Sequence, residues 1–194
     1  MRVAATSVSA VVQGAATIAA LLVGAVGVAD PSPRIALADN TVSGDPPAVG
    51  AGDGSLADGQ ILTPFDVQNP AVGRLDPQLL TAIQQAASAA SADGITMTIT
   101  SGWRSPEFQQ RLLDSAVAQY GSLAAAREYV QTPEASKHVV GEAVDVGGVG
   151  ADQWLMANGA RFGLCRIYAN EVWHFELATD AVGNCPPLLP NAAG

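Results

Sequence analysis

The sequence predicts an α+β domain: a small, mainly antiparallel sheet with helices packed on it. Three observations carry this. Ile95-Thr96-Met97-Thr98-Ile99-Thr100 alternates apolar and polar residues in strict period two, the pattern of a half-buried strand. Asp76-Pro77 and Ser105-Pro106 each set a capping side chain before a proline at the first helical position. The other apolar runs are short and alternate with helical stretches, which favours a few strands covered by helices.

Taken in order, Leu79, Leu80, Ile83 and Ala87 recur at helical spacing after Asp76, and Asp93-Gly94 ends that helix. The strand over 95–100 follows. A second helix runs from Ser105 to about Tyr120 and a third from Ser122 to Val130. Ala143 to Val146 is a short strand, Asp152 to Phe162 a helix, and Leu164–Ala169 and Val172–Leu177 are two further strands. Alternation puts Val144 and Val146 on one face and Asp145 on the other; likewise Trp173 and Phe175 oppose His174 and Glu176. Asp145 and His174 are therefore expected to face away from the core across a shared concavity, with His138 reaching it from the preceding loop. Gly141 and Gly147 fit a sharp turn or close backbone approach beside it.

The 194 residues suit one domain with a proper core rather than two. Arg2 is followed by an uncharged stretch rich in Ala, Val and Gly, and Ala36-Leu37-Ala38 offers small residues around a larger one. Residues 1–38 read as a secretory signal peptide, with Gly27-Val28-Ala29 as the second cleavage candidate and an uncleaved membrane anchor as the alternative. Residues 39–60, dominated by Gly, Asp, Ser, Pro and Ala, read as a flexible linker, with order beginning near Ile61-Leu62. The folded domain is then 61–190. The chain is acidic, at −9, with no basic stripe, so nucleic acid is not an expected partner, nor is stable membrane insertion after cleavage. A monomer is expected. Cys165 and Cys185 are the only cysteines, and in an exported chain a disulfide between them is the expected state. Such a loop is worth about 3 kcal/mol on the chain-entropy account.

The chemistry concentrates around the only two histidines. His138 lies in Ser136-Lys137-His138-Val139-Val140-Gly141-Glu142-Ala143-Val144-Asp145, and His174 in Glu171-Val172-Trp173-His174. Two imidazoles and one carboxylate, with a spare glutamate nearby, are the inventory of a catalytic zinc centre: three protein ligands, an open position for water, and a base. Zn2+ is the expected cofactor, with His138, Asp145 and His174 as ligands. Glu171 would take the water's proton and deliver it to a leaving amine. Arg104, in Ser101-Gly102-Trp103-Arg104-Ser105, could grip a substrate carboxylate or a developing oxyanion, and Gln109 could add a hydrogen bond. Residue by residue the blander readings stand: an isolated histidine is usually packed or at the surface, Asp145 could cap a turn, and Trp103 and Trp173 could be core or pocket wall.

Three motifs in order sharpen this. Ser136, His138, Gly141, Ala143 and Asp145 fit Ser-x-His-x-x-Gly-x-Ala-x-Asp; Glu171, Trp173 and His174 fit Glu-x-Trp-His; Ser101, Gly102, Arg104, Ser105 and Gln109 fit Ser-Gly-Tyr-Arg-Ser followed by Gln. Together, over roughly residues 95–177, the sequence resembles the D-alanyl-D-alanine carboxypeptidases of the VanY and LD-carboxypeptidase type, zinc peptidases of the bacterial cell wall. The resemblance implies the hedgehog/DD-peptidase fold, zinc on His138, Asp145 and His174, Glu171 as catalytic base, and Arg104 on substrate or oxyanion. It implies that Ser136 and Gln109 line the subsite for the terminal carboxylate. Trp103 stands where the family has tyrosine and would offer substrate an apolar wall; Val172 stands where proline is frequent. The expected function is hydrolysis of the terminal D-Ala-D-Ala bond of peptidoglycan stem peptides by a secreted, wall-associated enzyme. The alternatives are an LD-carboxypeptidase or endopeptidase of the same fold and, more remotely, a non-catalytic wall-binding zinc module or a non-haem iron oxygenase, whose facial triad uses the same residue types.

Overall fold

The capping chemistry written into the sequence is the chemistry the chain uses. The computed structural model describes residues 52–194; the signal-peptide reading of 1–38 and most of the linker reading lie outside them. Asn69 caps a one-turn helix α1 (Pro70–Gly73) by accepting from the Ala71 amide. Asp76 caps α2 (Pro77–Ala92) by accepting from the Gln78 and Leu79 amides, and Ser105 caps α3 (Pro106–Tyr120) by accepting from the Phe108 amide. Gly121, in the left-handed conformation, ends α3. The other elements are β1 (Thr98–Ser101), α4 (Leu123–Ala126), β2 (Ala143–Gly147), α5 (Ala151–Asn158) with a 3-10 turn after it, β3 (Leu164–Arg166) and β4 (His174–Leu177).

The four strands form one sheet in the order β1-β2-β4-β3, every neighbouring pair antiparallel. The α+β expectation holds. Helix α2 lays Leu79, Ile83, Ala86 and Ala90 against Ile99, Val144, Val146, Leu164 and Phe175. The small alanines let the helix sit close to the sheet, and a fully buried side chain such as Phe175 contributes roughly 1.5–3 kcal/mol. A second, smaller cluster joins α3 to α4 through Leu113, Ala116 and Ala126. Among the described residues no helix is long and apolar enough to cross a membrane. Cys165 and Cys185 are bonded, with Cα atoms 5.5 Å apart, and the loop they close carries Glu171 and His174.

Several details differ from the sequence expectation; β3, for one, ends at Arg166 rather than Ala169, and Tyr168 bridges Leu189 outside the sheet. The first strand starts at Thr98 rather than Ile95, because its partner β2 ends at Gly147, opposite Thr98, and Leu62 on the other edge pairs with Ile99, inside the strand. Helix α4 stops at Ala126 instead of reaching Val130: the Glu128 carbonyl accepts from Asn170 Nδ2 and the Gln131 carbonyl from Gln109 Nε2, so these groups serve tertiary bonds. Trp173 does not join Phe175 in the core. It lies in the turn before β4 and is 43% exposed, whereas Phe175 is fully buried. Finally, packing begins upstream of Ile61, where the Asp53 carbonyl accepts from the Ser105 amide and Gly54 lies so close to Trp103 that a Cβ would fall 2.0 Å from its carbonyl oxygen.

Candidate metal centre

Strand register builds the site. Asp145 on β2 and His174 on β4 are direct partners, so their side chains stand side by side on the face opposite Val144 and Phe175. His138 enters from the turn before β2. Its Nδ1–H donates to the Gly102 carbonyl at 2.8 Å, and Gly102 can sit there only without a side chain, since a Cβ would meet the Ala71 carbonyl at 2.0 Å. Gly141, at φ +77°, makes the reversal that leads from His138 into β2, tight against the Arg74 carbonyl.

Three donor atoms converge. His138 Nε2 lies 3.3 Å from His174 Nδ1 and 3.4 Å from Asp145 Oδ1, and His174 Nδ1 lies 3.2 Å from the same oxygen. A tetrahedral zinc with ligands at about 2.0–2.1 Å requires donor separations of about 3.3 Å. The outer face of each imidazole is occupied: His138 Nδ1 on Gly102, and His174 Nε2 donating to Glu176 Oε1 at 2.9 Å. Both tautomers thus present a lone pair to the common centre, the arrangement that carboxylate or carbonyl partners impose on metal-binding histidines. All three side chains are buried. The donor set fits a divalent cation.

The electrostatics agree. Burial lowers His138, favouring its neutral form. On Asp145 burial works the other way, but His138, His174 and Arg104 outweigh it and hold the carboxyl far below the usual range. Burial also disfavours charge on His174, yet its bonds to Asp145 and Glu176 prevail and push it up to about 9 in the absence of a cation. A divalent ion would occupy the place of that proton on Nδ1.

Glu171 stands beside this triangle. Its Oε2 is 3.9 Å from His174 Nδ1, while Oε1 is buried with no hydrogen-bond partner. Burial, with the nearby charges of Asp145 and Glu176, pushes its pKa up to about 7 against the opposing pull of His174 and Arg104. Arg104 donates from Nη2 to Asp145 Oδ2 at 3.0 Å, from Nη1 to Gln109 Oε1 at 3.1 Å and from Nε to Ser101 Oγ at 2.9 Å. Its burial lowers its pKa.

These residues edge a cavity of about 220 Å³ that includes Arg104, Gln109, Ser136, the three donors and Glu171. Gln109 is there, but both ends of its amide are engaged inside the protein, on Arg104 and on the Gln131 carbonyl. Trp103 is not in the cavity wall: the Arg74 guanidinium stacks on its ring at 4.4 Å, away from the donors. The aromatic wall comes from Trp173, Tyr129 and Tyr168 instead. Period two already put Glu176 on the face of His174, but its bond to Nε2 needed the structure; nothing in the sequence singled out Tyr168 or Gln131.

A sequence profile of the family described as VanY: D-alanyl-D-alanine carboxypeptidase matches residues 73–178, more than half of the chain and the whole of this centre. The chain belongs to the VanY family. The D-alanyl-D-alanine carboxypeptidase of Enterococcus faecalis (strain ATCC 700802 / V583) is 32% identical over 128 residues, covering 53% of this chain and 48% of that protein. The chain thus spans about half the length of this curated relative. The crystal structure of a vancomycin-resistance D,D-pentapeptidase, VanY, from a VanB-type resistance cassette in complex with Zn(II) matches with a TM-score of 0.50 and 32% identity, over 53% of this chain and 71% of that one. VanYB in complex with D-alanine-D-alanine matches with a TM-score of 0.50 and 31% identity, over 53% and 70%. The VanY fold and the four-stranded sheet described above are one architecture.

Proposed function

We propose that this VanY-family chain is an exported zinc D,D-carboxypeptidase that removes the terminal D-alanine from peptidoglycan stem peptides. The observation that carries the reading is the triangle of His138 Nε2, Asp145 Oδ1 and His174 Nδ1, spaced for one tetrahedral ion, with an unpartnered glutamate oxygen beside it. The VanY relatives with zinc and with D-alanine-D-alanine support it. Zinc held by His138, Asp145 and His174 would supply Lewis acidity and would bring the pKa of a water to about 7.

The chain's own groups do the rest. Glu171 accepts a proton from the attacking water as its oxygen bonds to the carbonyl carbon; when the C–N bond breaks, Glu171 returns the proton to the leaving amine. A buried carboxylate with one oxygen unpartnered and the other 3.9 Å from a donor nitrogen is placed for both halves of that task. Arg104, braced by Ser101, Gln109 and Asp145, offers its remaining N–H groups to the substrate carboxylate or the developing oxyanion. Ser136 contributes a hydroxyl to the carboxylate subsite, and Gln109 acts through Arg104. One copy carries the complete donor set, so a monomer suffices. Residues 1–38 deliver the domain to the wall.

Mass spectrometry of a muropeptide mixture after incubation, with and without chelator, tests this. Loss of one D-alanine from pentapeptide stems, abolished by chelator and restored by zinc, is the expected result. Loss of a different residue, internal cleavage, or no chelator-sensitive change would overturn it.

A further inference from the structure

The VanY match ends at residue 178, yet the chain beyond it returns to the cavity. Cys185 is bonded to Cys165 on β3. Leu189 then pairs beside the sheet: its amide donates to the Ile167 carbonyl at 2.9 Å and its carbonyl accepts from the Ala169 amide at 2.8 Å. Three residues later the Ala192 amide donates to the Glu128 carbonyl at 3.3 Å, and the Ala192 carbonyl accepts from Gln131 Nε2. Ala192 itself belongs to the cavity wall.

The cavity has two banks. One comes from the sheet and the turn before β4, with Tyr168, Glu171 and Trp173; the other comes from the helical side, with Tyr129 and Gln131. The segment from Cys185 to Ala192 is pinned to both, at Ile167–Ala169 on the first and Glu128–Gln131 on the second. The Gln131 carbonyl in turn accepts from Gln109, which holds Arg104, which holds Asp145. Gln109, within this chain of bonds, is 1% exposed with both ends of its amide engaged, so it gives the cavity a closed polar floor against which a peptide end can abut.

We propose that Cys185–Ala192 is a disulfide-tethered selectivity strap. It fixes the separation of the two banks, so the cleft accepts a peptide that terminates inside it and rejects one that continues. This rests on the hydrolytic reading for its substrate class, and on the strap's own contacts for its geometry.

The test uses the full chain loaded with zinc. Leu189→Pro removes the donor to Ile167, Gln131→Ala removes the donor to Ala192, and Cys165→Ala with Cys185→Ala removes the tether. For a stem peptide ending in D-Ala-D-Ala, KM should rise about tenfold in each with kcat within about threefold. Bound zinc should stay unchanged. The preference for that peptide over one extended beyond the second D-alanine should fall. An unmoved KM and an unmoved preference overturn the proposal, as does a loss of kcat alone. Should the wild type cleave neither peptide, the proposed function fails separately. The strap is then judged by hydrogen exchange: amides at 128–131 must exchange faster in Leu189→Pro and Gln131→Ala, and unchanged exchange overturns it.

Discussion

At Asp145 the two carboxylate oxygens serve different partners. Oδ1 lies with the imidazoles and Oδ2 accepts from Arg104. The guanidinium draws charge away from the donor oxygen, so a cation there keeps more of its own charge for polarising a ligand. Glu171, by contrast, has an oxygen with nothing to bond, the condition that its proposed role, taking a proton from the attacking water, requires. Glu171→Gln keeps the shape and removes the basicity. The expected result is a fall in kcat of about 10²–10⁴ with zinc content by elemental analysis unchanged; retention of wild-type turnover would remove Glu171 from the reaction. The donor residues were legible because the chain holds only two histidines, each in a distinctive run. Trp103 was not, because an aromatic side chain next to a motif says nothing about which side of the backbone it will take. Here a stacking cation, Arg74, sits on the ring outside the cavity.

Among the elements, helices α2 and α3 were readable to within a residue or so, since a capping side chain followed by proline fixes a helix start by local chemistry alone. Strand limits and the end of α4 were not, because they depend on where a partner strand stops or which distant side chain claims a carbonyl. The segment 53–55 makes the same point: its composition reads as linker, yet Asp53 packs on the start of α3 through Ser105 and pairs with Arg111. Burial works against the Asp53 charge, but bonds from Ser55 and Arg111 prevail and hold its pKa below the usual value. A depressed carboxyl stabilises the fold above its unfolded-state pKa and ceases to as the pH falls through the folded one. Asp53→Asn should therefore lower Tm at pH 7, by an amount corresponding to about 0.5–1 kcal/mol. The gap to wild type should close as acid titrates the native aspartate; a gap that stays constant down to pH 2 would show that the charge is not what matters.

For the molecule as a whole, the sheet order puts β2 and β4 side by side at its middle, and that adjacency makes a site from residues 138, 145 and 174. Sequence alternation gave the face each donor occupies but not which strands are neighbours, which is a property of the complete fold. The hydrophobic core, meanwhile, lies on the other face of the sheet, between it and α2. Fold and cage are thus built on opposite sides of the same strands.

That separation has a consequence for handling the ion. With its cage already spaced by backbone ladders, the chain should hold its shape when stripped by chelator, unlike domains that collapse once their metal leaves. Near-ultraviolet circular dichroism of the stripped sample should match that of the loaded one; a molten spectrum would mean the ion is a staple. The metal then becomes a swappable part, and cobalt(II), exchanged in without unfolding, would give a colourless protein a visible spectrum in which its donors can be read directly.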